Sequence, residues 1–269
     1  MSTVSTKPDY GVDGPGVMLT LFFTGFACLL LAKFAPRIII RIGSVALKAR
    51  AFFWPAGFLI GEGLLLLLYV KFGKLRHRDL MLEMHAWRGD ERVLDVGCGR
   101  GLLLASAAKR IAQLHGSGHG TGIDIWSNTD MAANSAAATE KNLELEGVSH
   151  LCTLISTPAQ EMPFADASFD LVISNLCLHN IRDRATRRQA IAQVVRVLKP
   201  GGTAILSDYK LTGEYAKQLR ELGCVIEKRR TTMLTVFARL TVILARKPVS
   251  PFNTPDSVAD PVREKQCNF

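Results

Sequence analysis

Residues 93–101 read VLDVGCGRG, and this stretch limits what the chain can fold into more than any other. Val93, Leu94 and Val96 form a short apolar run around Asp95, the pattern of a strand buried in a parallel sheet. Gly97, Gly99 and Gly101 follow at alternate positions, and residues 102–111 (LLLASAAKRI) then read as a helix. Glycine lets a strand–helix junction bend sharply and approach a ligand closely. The helix start offers free N–H groups to an anion. The turn is not G-x-G-x-x-G, and it lacks the Gly-Lys-Ser/Thr ending of a phosphate loop.

Strands are predicted at about 92–96, 120–124, 151–155, 170–175 and 203–208, with helices at about 102–114, 131–146 and 183–198 between them. That alternation implies an α/β domain with a parallel sheet covered on both faces. A helix at about 213–223 and two last strands at about 225–231 and 235–246 complete it, and residues 74–87 read as an amphipathic helix leading in. Asp124 ends the second strand. It lies near the spacing of roughly 20 residues beyond such a turn at which an acid meets ribose hydroxyls.

Pro163-Phe164, the run 169–175 (FDLVISN) and the run 198–202 (LKPGG) follow. In this order, with the glycine turn and Asp124, they resemble the class I S-adenosylmethionine-dependent methyltransferases, especially the branch that methylates quinones, sterols and arsenite. The resemblance covers residues 75–247. It implies a Rossmann-like methyltransferase sheet, mostly parallel with the last strand antiparallel, and S-adenosylmethionine as cofactor. It further implies that Asp95, Gly97, Cys98, Gly99 and Gly101 hold the methionine half of the cofactor, with Cys98 chosen for small size. Asp124 would accept hydrogen bonds from both ribose hydroxyls, and Ile125 and Trp126 would lie against adenine. Where the family often has an acid on the adenine amino group this chain has Pro158. Adenine recognition is left to the backbone at Ala159 or to Gln160.

Asn175 ends the fourth strand and joins the cofactor set. The loop 176–180 (LCLHN) then runs over the pocket, because ligands of open α/β sheets sit beyond the carboxyl ends of strands. His179 is the candidate general base, its free pKa lying near neutrality. Asp208 and Tyr209 end the fifth strand on the same rim. Methyl transfer needs positioning and exclusion of water but no metal, and none is expected. The six cysteines show no metal spacing and read as reduced thiols, while His115 and His119 sit in a glycine-rich turn. Cys177 and Cys224 as thiolate ligands would instead suit an arsenite or thiol methyltransferase. A membrane scaffold that binds the cofactor without turnover is the reading from another class.

The apolar excess is concentrated near the N-terminus. Residues 14–32 carry no charge, and residues 51–70 carry only Glu62. Each nearly reaches the roughly 20 apolar residues that cross a bilayer. The leader carries Lys7 against Asp9 and Asp13, not the basic start of a signal peptide. Between positions 33 and 78 nine basic residues face Glu62 alone, a local charge of +8 in a chain whose net charge is +9. The pI of 9.4 therefore reflects a membrane collar and not a nucleic-acid surface. The expected organisation is a mobile polar leader (1–13), a membrane anchor (14–72), the methyltransferase domain (73–247) and a disordered tail (248–269) rich in proline. The anchor is either two full crossings or a re-entrant hairpin with bends at Pro36, Pro55 and Gly61-Glu62-Gly63, and the hairpin is favoured because it keeps all the basic residues on one side. The whole implies a membrane-bound enzyme facing the cytosol, with membrane lipids and a lipophilic small molecule as partners.

Overall fold

The computed structural model describes residues 7–12, 14–127 and 133–249. The tail from residue 250 onward, expected to be disordered, and the first positions of the helix expected from 131 lie outside the described residues.

An antiparallel pair of helices comes first. Helix α1 (Pro15–Phe34) leads through a small hairpin, β1 (Ile39–Ile42) and β2 (Val45–Lys48), into α2 (Phe53–Leu68). A π-helical turn, Tyr69–Gly73, then carries the helix into α3 (Lys74–Leu82) without a break. Both Pro15–Phe34 and the continuous stretch Ala49–Leu82 are long and apolar enough to cross a membrane. The re-entrant bend expected at Gly61-Glu62-Gly63 does not form. The glycines seat the partner helix instead: a Cβ on Gly63 would lie 3.0 Å from the Phe22 ring, and one on Gly25 would lie 2.8 Å from Ile60. Small residues let apolar helices approach closely. The outer faces are left bare, with Phe23, Phe26, Leu30, Phe34, Trp54, Phe58 and Leu64 all exposed. Arg37, Arg41, Lys48 and Arg50 lie around the hairpin, at the opposite end of the pair from Lys71, Lys74, Arg76 and Arg78.

The α/β domain alternates as expected: β3 (Arg92–Val96), α4 (Leu102–Gln113), β4 (His119–Asp124), α5 (Ala136–Leu145), β5 (Cys152–Ser156), β6 (Phe169–Asn175), α6 (Arg184–Val197), β7 (Leu198–Asp208), α7 (Thr212–Glu221), β8 (Val225–Arg230), α8 (Met233–Val236) and β9 (Thr241–Arg246). The sheet order is β5-β4-β3-β6-β7-β9-β8. Strands β3 to β7 pair in parallel, and β9 is antiparallel to both neighbours. The order reverses between β3 and β6, which opens a crevice at their carboxyl ends. Leu94, Val96, Val172, Ile191, Val194 and Leu206 fill one side of the sheet, and Val93, Ile111, Leu171, Ile173 and Ile205 the other.

The run expected as one strand from 235 is a short helix followed by a shorter strand. Thr232 and Thr235 form a reciprocal capping box, which satisfies backbone donors locally and outweighs the β-branched composition. Ser135 caps α5 by accepting from the Ala138 N–H, so that helix starts later than its alanine run suggests. The leader read as mobile is held down over residues 7–12. Asp9 pairs with Arg100 at 2.8 Å, its N–H donates to Asn142, and the Tyr10 hydroxyl donates to Glu146 at 2.6 Å.

Candidate active site

Two clusters form along the carboxyl edge of the sheet, one on each side of the crevice. The first gathers on β3 and β4. Gly97, Gly99 and Gly101 all have positive φ (72°, 50° and 82°), a region costly for residues with a Cβ. Their missing side chains also make room for protein. A Cβ on Gly97 would overlap the Cys177 thiol, and one on Gly101 would come 2.9 Å from Thr139. Most of the turn's N–H groups are used within the protein: Gly97 and Cys98 donate to the Ile123 carbonyl and Gly101 to that of Cys98. Asp124 accepts from the Gly99 N–H at 2.8 Å and the Trp126 N–H at 2.6 Å, which ties the ends of β3 and β4 together. Trp126 turns at φ 57° and donates its indole N–H to Ser156 at 2.7 Å, while Ile125 projects into solvent. Ala159 packs partly buried against the core, and Gln160 stands beside it, half-buried.

Asp95 is the unusual member. It is 1% exposed, and its Oδ2 has no hydrogen-bond partner. Burial pushes its carboxyl up to about 8, and the neighbouring Asp124 charge adds to this against a hydrogen bond from Leu104. A buried acid with an unused oxygen at the amino end of α4, where the helix carries a partial positive charge, fits a ligand with an ammonium and a carboxylate. S-adenosylmethionine carries both. Burial likewise raises the Cys98 thiol well above its usual range, so this cysteine is an inert space-filler.

The second cluster gathers on β6, β7 and their loops. His179 and Asp208, separate candidates in the sequence, meet: the ring Nδ1 lies 2.9 Å from Oδ1 and 3.1 Å from Oδ2 of Asp208. Asp208 is buried and also accepts from the backbone N–H groups of His179 and Tyr209 and from the Tyr215 hydroxyl. The Tyr209 ring packs edge-on against His179 at 4.7 Å. A carboxylate that takes the Nδ1–H leaves the lone pair on Nε2, the tautomer a base requires.

Tyr215 and His77 escaped the sequence reading. His77, on α3, is fully buried and its Nε2 lies 2.7 Å from the Ser207 hydroxyl, one residue before Asp208. Asn175 stands at the end of β6 opposite Ser207, its Oδ1 buried and unpartnered. A histidine inside the basic run KLRHRD carries no signal of this role. The cysteines do not converge. Cys177 lies at the carboxyl edge of the sheet, whereas Cys152 and Cys224 lie at the opposite edge. No group of three or more metal-ligating side chains occurs among the described residues, and the arsenite reading has no ligand set to rest on.

A seven-stranded sheet with a glycine turn and an acid at the end of the next strand suits a nucleoside cofactor. Comparisons with known proteins say which. Residues 94–206 match the family model described as a methyltransferase domain. The sterol 4-C-methyltransferase of Caenorhabditis elegans is 30% identical over 48% of this chain and 34% of its own length. The demethylmenaquinone methyltransferase of Listeria monocytogenes is 35% identical over 50% and 49%. An O-methyltransferase family protein of Burkholderia thailandensis, 16% identical, shares the fold with a TM-score of 0.53, over 87% of this chain and 72% of its own. The match spans between a third and a little over half of the curated relatives' length. Residues 94–206 are thus a methyltransferase domain, and the named relatives point to the S-adenosylmethionine-dependent class and to S-adenosylmethionine as cofactor.

Proposed function

We propose that this protein is a membrane-anchored methyltransferase acting on a small lipophilic acceptor at the cytosolic face of a membrane. The observation that carries the reading is the unbroken helix from α2 into α3. The longer apolar helix ends by seating His77 against Ser207 on the rim of the site. An acceptor dissolved in the bilayer then reaches the rim by following the anchor. The bare apolar faces of α1 and α2 support insertion. So does the length of α1, 20 residues, or about 30 Å, the thickness of the hydrocarbon core. Two full crossings suit the straight helices better than a re-entrant bend. Cys98, Cys152, Cys177 and Cys224 of the α/β domain are free thiols, which is compatible with a cytosol-facing domain.

The bound cofactor supplies a methyl group on an electron-poor sulfonium sulfur. In this reading Asp95 would hold its ammonium, the amino end of α4 its carboxylate and Asp124 its ribose. Ile125, Trp126, Ala159 and Gln160 border the adenine. Asn175 lines the crevice between the two clusters. His179 takes the proton from the acceptor's O–H or C–H through Nε2 as the methyl arrives, and Asp208 stabilises the imidazolium and fixes the ring. Tyr209 and Tyr215 hold that pair from either side. His179 later releases the proton to water.

Two measurements test parts of this. The ammonium should draw Asp95 from largely protonated to ionised, so binding releases a proton and strengthens as pH rises. Calorimetry at pH 7 in buffers of different ionisation enthalpy should show close to one proton released per cofactor, and affinity should rise toward about tenfold between pH 6 and 7. A buffer-independent heat would remove Asp95 from the ammonium site. The full-length protein should also resist extraction by both high salt and alkaline carbonate. A single cysteine placed at Gly43 or Ser44 should label from the side opposite the catalytic domain. Release by salt alone would leave only the basic collar as attachment.

A further inference from the structure

Resting on that reading, we propose that the acceptor, or the molecule that delivers it, is an amphiphile with an oxyanion group, a phosphate or a carboxylate, held by Arg230 and Arg239. A cleft of about 500 Å³, within the size range of small-molecule sites, opens against Tyr209, whose ring packs on His179. Its lining includes Tyr209, the apolar Met233, Leu234 and Leu240, and the basic Arg230 and Arg239. The sheet register fixes the spacing. Asp208 pairs with Thr241 and Thr241 with Arg230, so the three lie in one row on one face. Two strand spacings separate Asp208 from Arg230, roughly 10 Å between backbones.

Neither arginine has a carboxylate partner among the described residues. The nearby Glu227 is paired with Arg229, and Asp208 is saturated by its own donors. Lys210 over Tyr209 and Arg76 over Phe237 add further positive charge. Guanidinium groups grip phosphate and carboxylate through paired N–H donors. The cleft also sits at the foot of the anchor. Val236 of α8 packs against Gly73, where the apolar helix becomes α3, and Leu234 next to it is 91% exposed. An amphiphile with its chain along Met233 and Leu234 and its charge on the arginines lies with its polar end at headgroup level and its remaining atoms toward Tyr209.

The test uses the full-length protein in neutral dodecyl maltoside micelles. The probes are dodecyl phosphate bearing a photoactivatable diazirine in the chain and the matching dodecyl alcohol. Mapped by mass spectrometry, the phosphate should label residues 231–241 at least tenfold more than the alcohol does. Arg230→Gln/Arg239→Gln should lose that labelling by a similar factor. Equal labelling by the alcohol, or full labelling of the double variant, overturns the oxyanion site. Inorganic phosphate at the same concentration should not compete. If it abolishes labelling, the site takes free phosphate and the amphiphile is wrong. S-adenosylmethionine titrations on the same samples should give wild-type affinity in the variant. Failure of the wild type to bind cofactor would instead count against the methyltransferase reading.

Discussion

Replacing His179 with alanine is expected to lower kcat by roughly 10²–10⁴, the contribution of a positioned general base, and to leave cofactor affinity unchanged. The ring lies beyond the ends of β6 and β7, whereas the cofactor turn lies on β3 and β4, so the two functions separate. Asp208→Asn should fall in the same direction, because an amide can present its N–H to Nδ1 and so favour the tautomer with no lone pair on Nε2. The release of S-adenosylhomocysteine on membrane extract reads both. If the His179 variant turns over like wild type, proximity alone carries the reaction and the His179–Asp208 pair is structural.

A larger structural effect is expected at Gly97. Alanine there meets two obstacles: a Cβ at φ 72° and overlap with the Cys177 thiol. The backbone cost is about 1–2 kcal/mol and overpacking about 1–3 kcal/mol, together a large part of a typical domain's 5–15 kcal/mol. Gly97→Ala should therefore unfold at much lower urea and lose cofactor binding. Adding Cys177→Gly should recover the packing share but not the backbone share. Wild-type stability in Gly97→Ala would mean that Gly97 tolerates a side chain and that its contact with Cys177 is not tight.

The glycine turn and Asp124 were legible in the sequence because they are local: a strand, its turn and the next strand end, close along the chain. The alternation of elements fixed the sheet for the same reason. What the sequence hid depends on distant segments meeting. His179 and Asp208 stand apart in sequence and join only because β6 and β7 are neighbours. Tyr215 and His77 arrive from helices whose pattern shows an apolar face but not what it covers. The glycines of α2 look like helix breakers in isolation, yet with Phe22 packed on Gly63 they are contact points. The Thr232–Thr235 box drew the first residues of the strand expected from 235 into α8 and left the strand to begin at Thr241, since side-chain capping competes with β propensity. That short helix both borders the cleft and abuts Gly73.

The most direct measurement of the central claim is the fate of the methyl group. Full-length protein in its own membranes should be given S-adenosylmethionine with a radiolabelled methyl, and lipid and water phases should be separated. Label is expected in the organic phase, in step with S-adenosylhomocysteine and abolished by Asp124→Ala. Cofactor binding with no label in the organic phase, or label confined to water-soluble products, would contradict a methyltransferase built to serve a lipophilic acceptor.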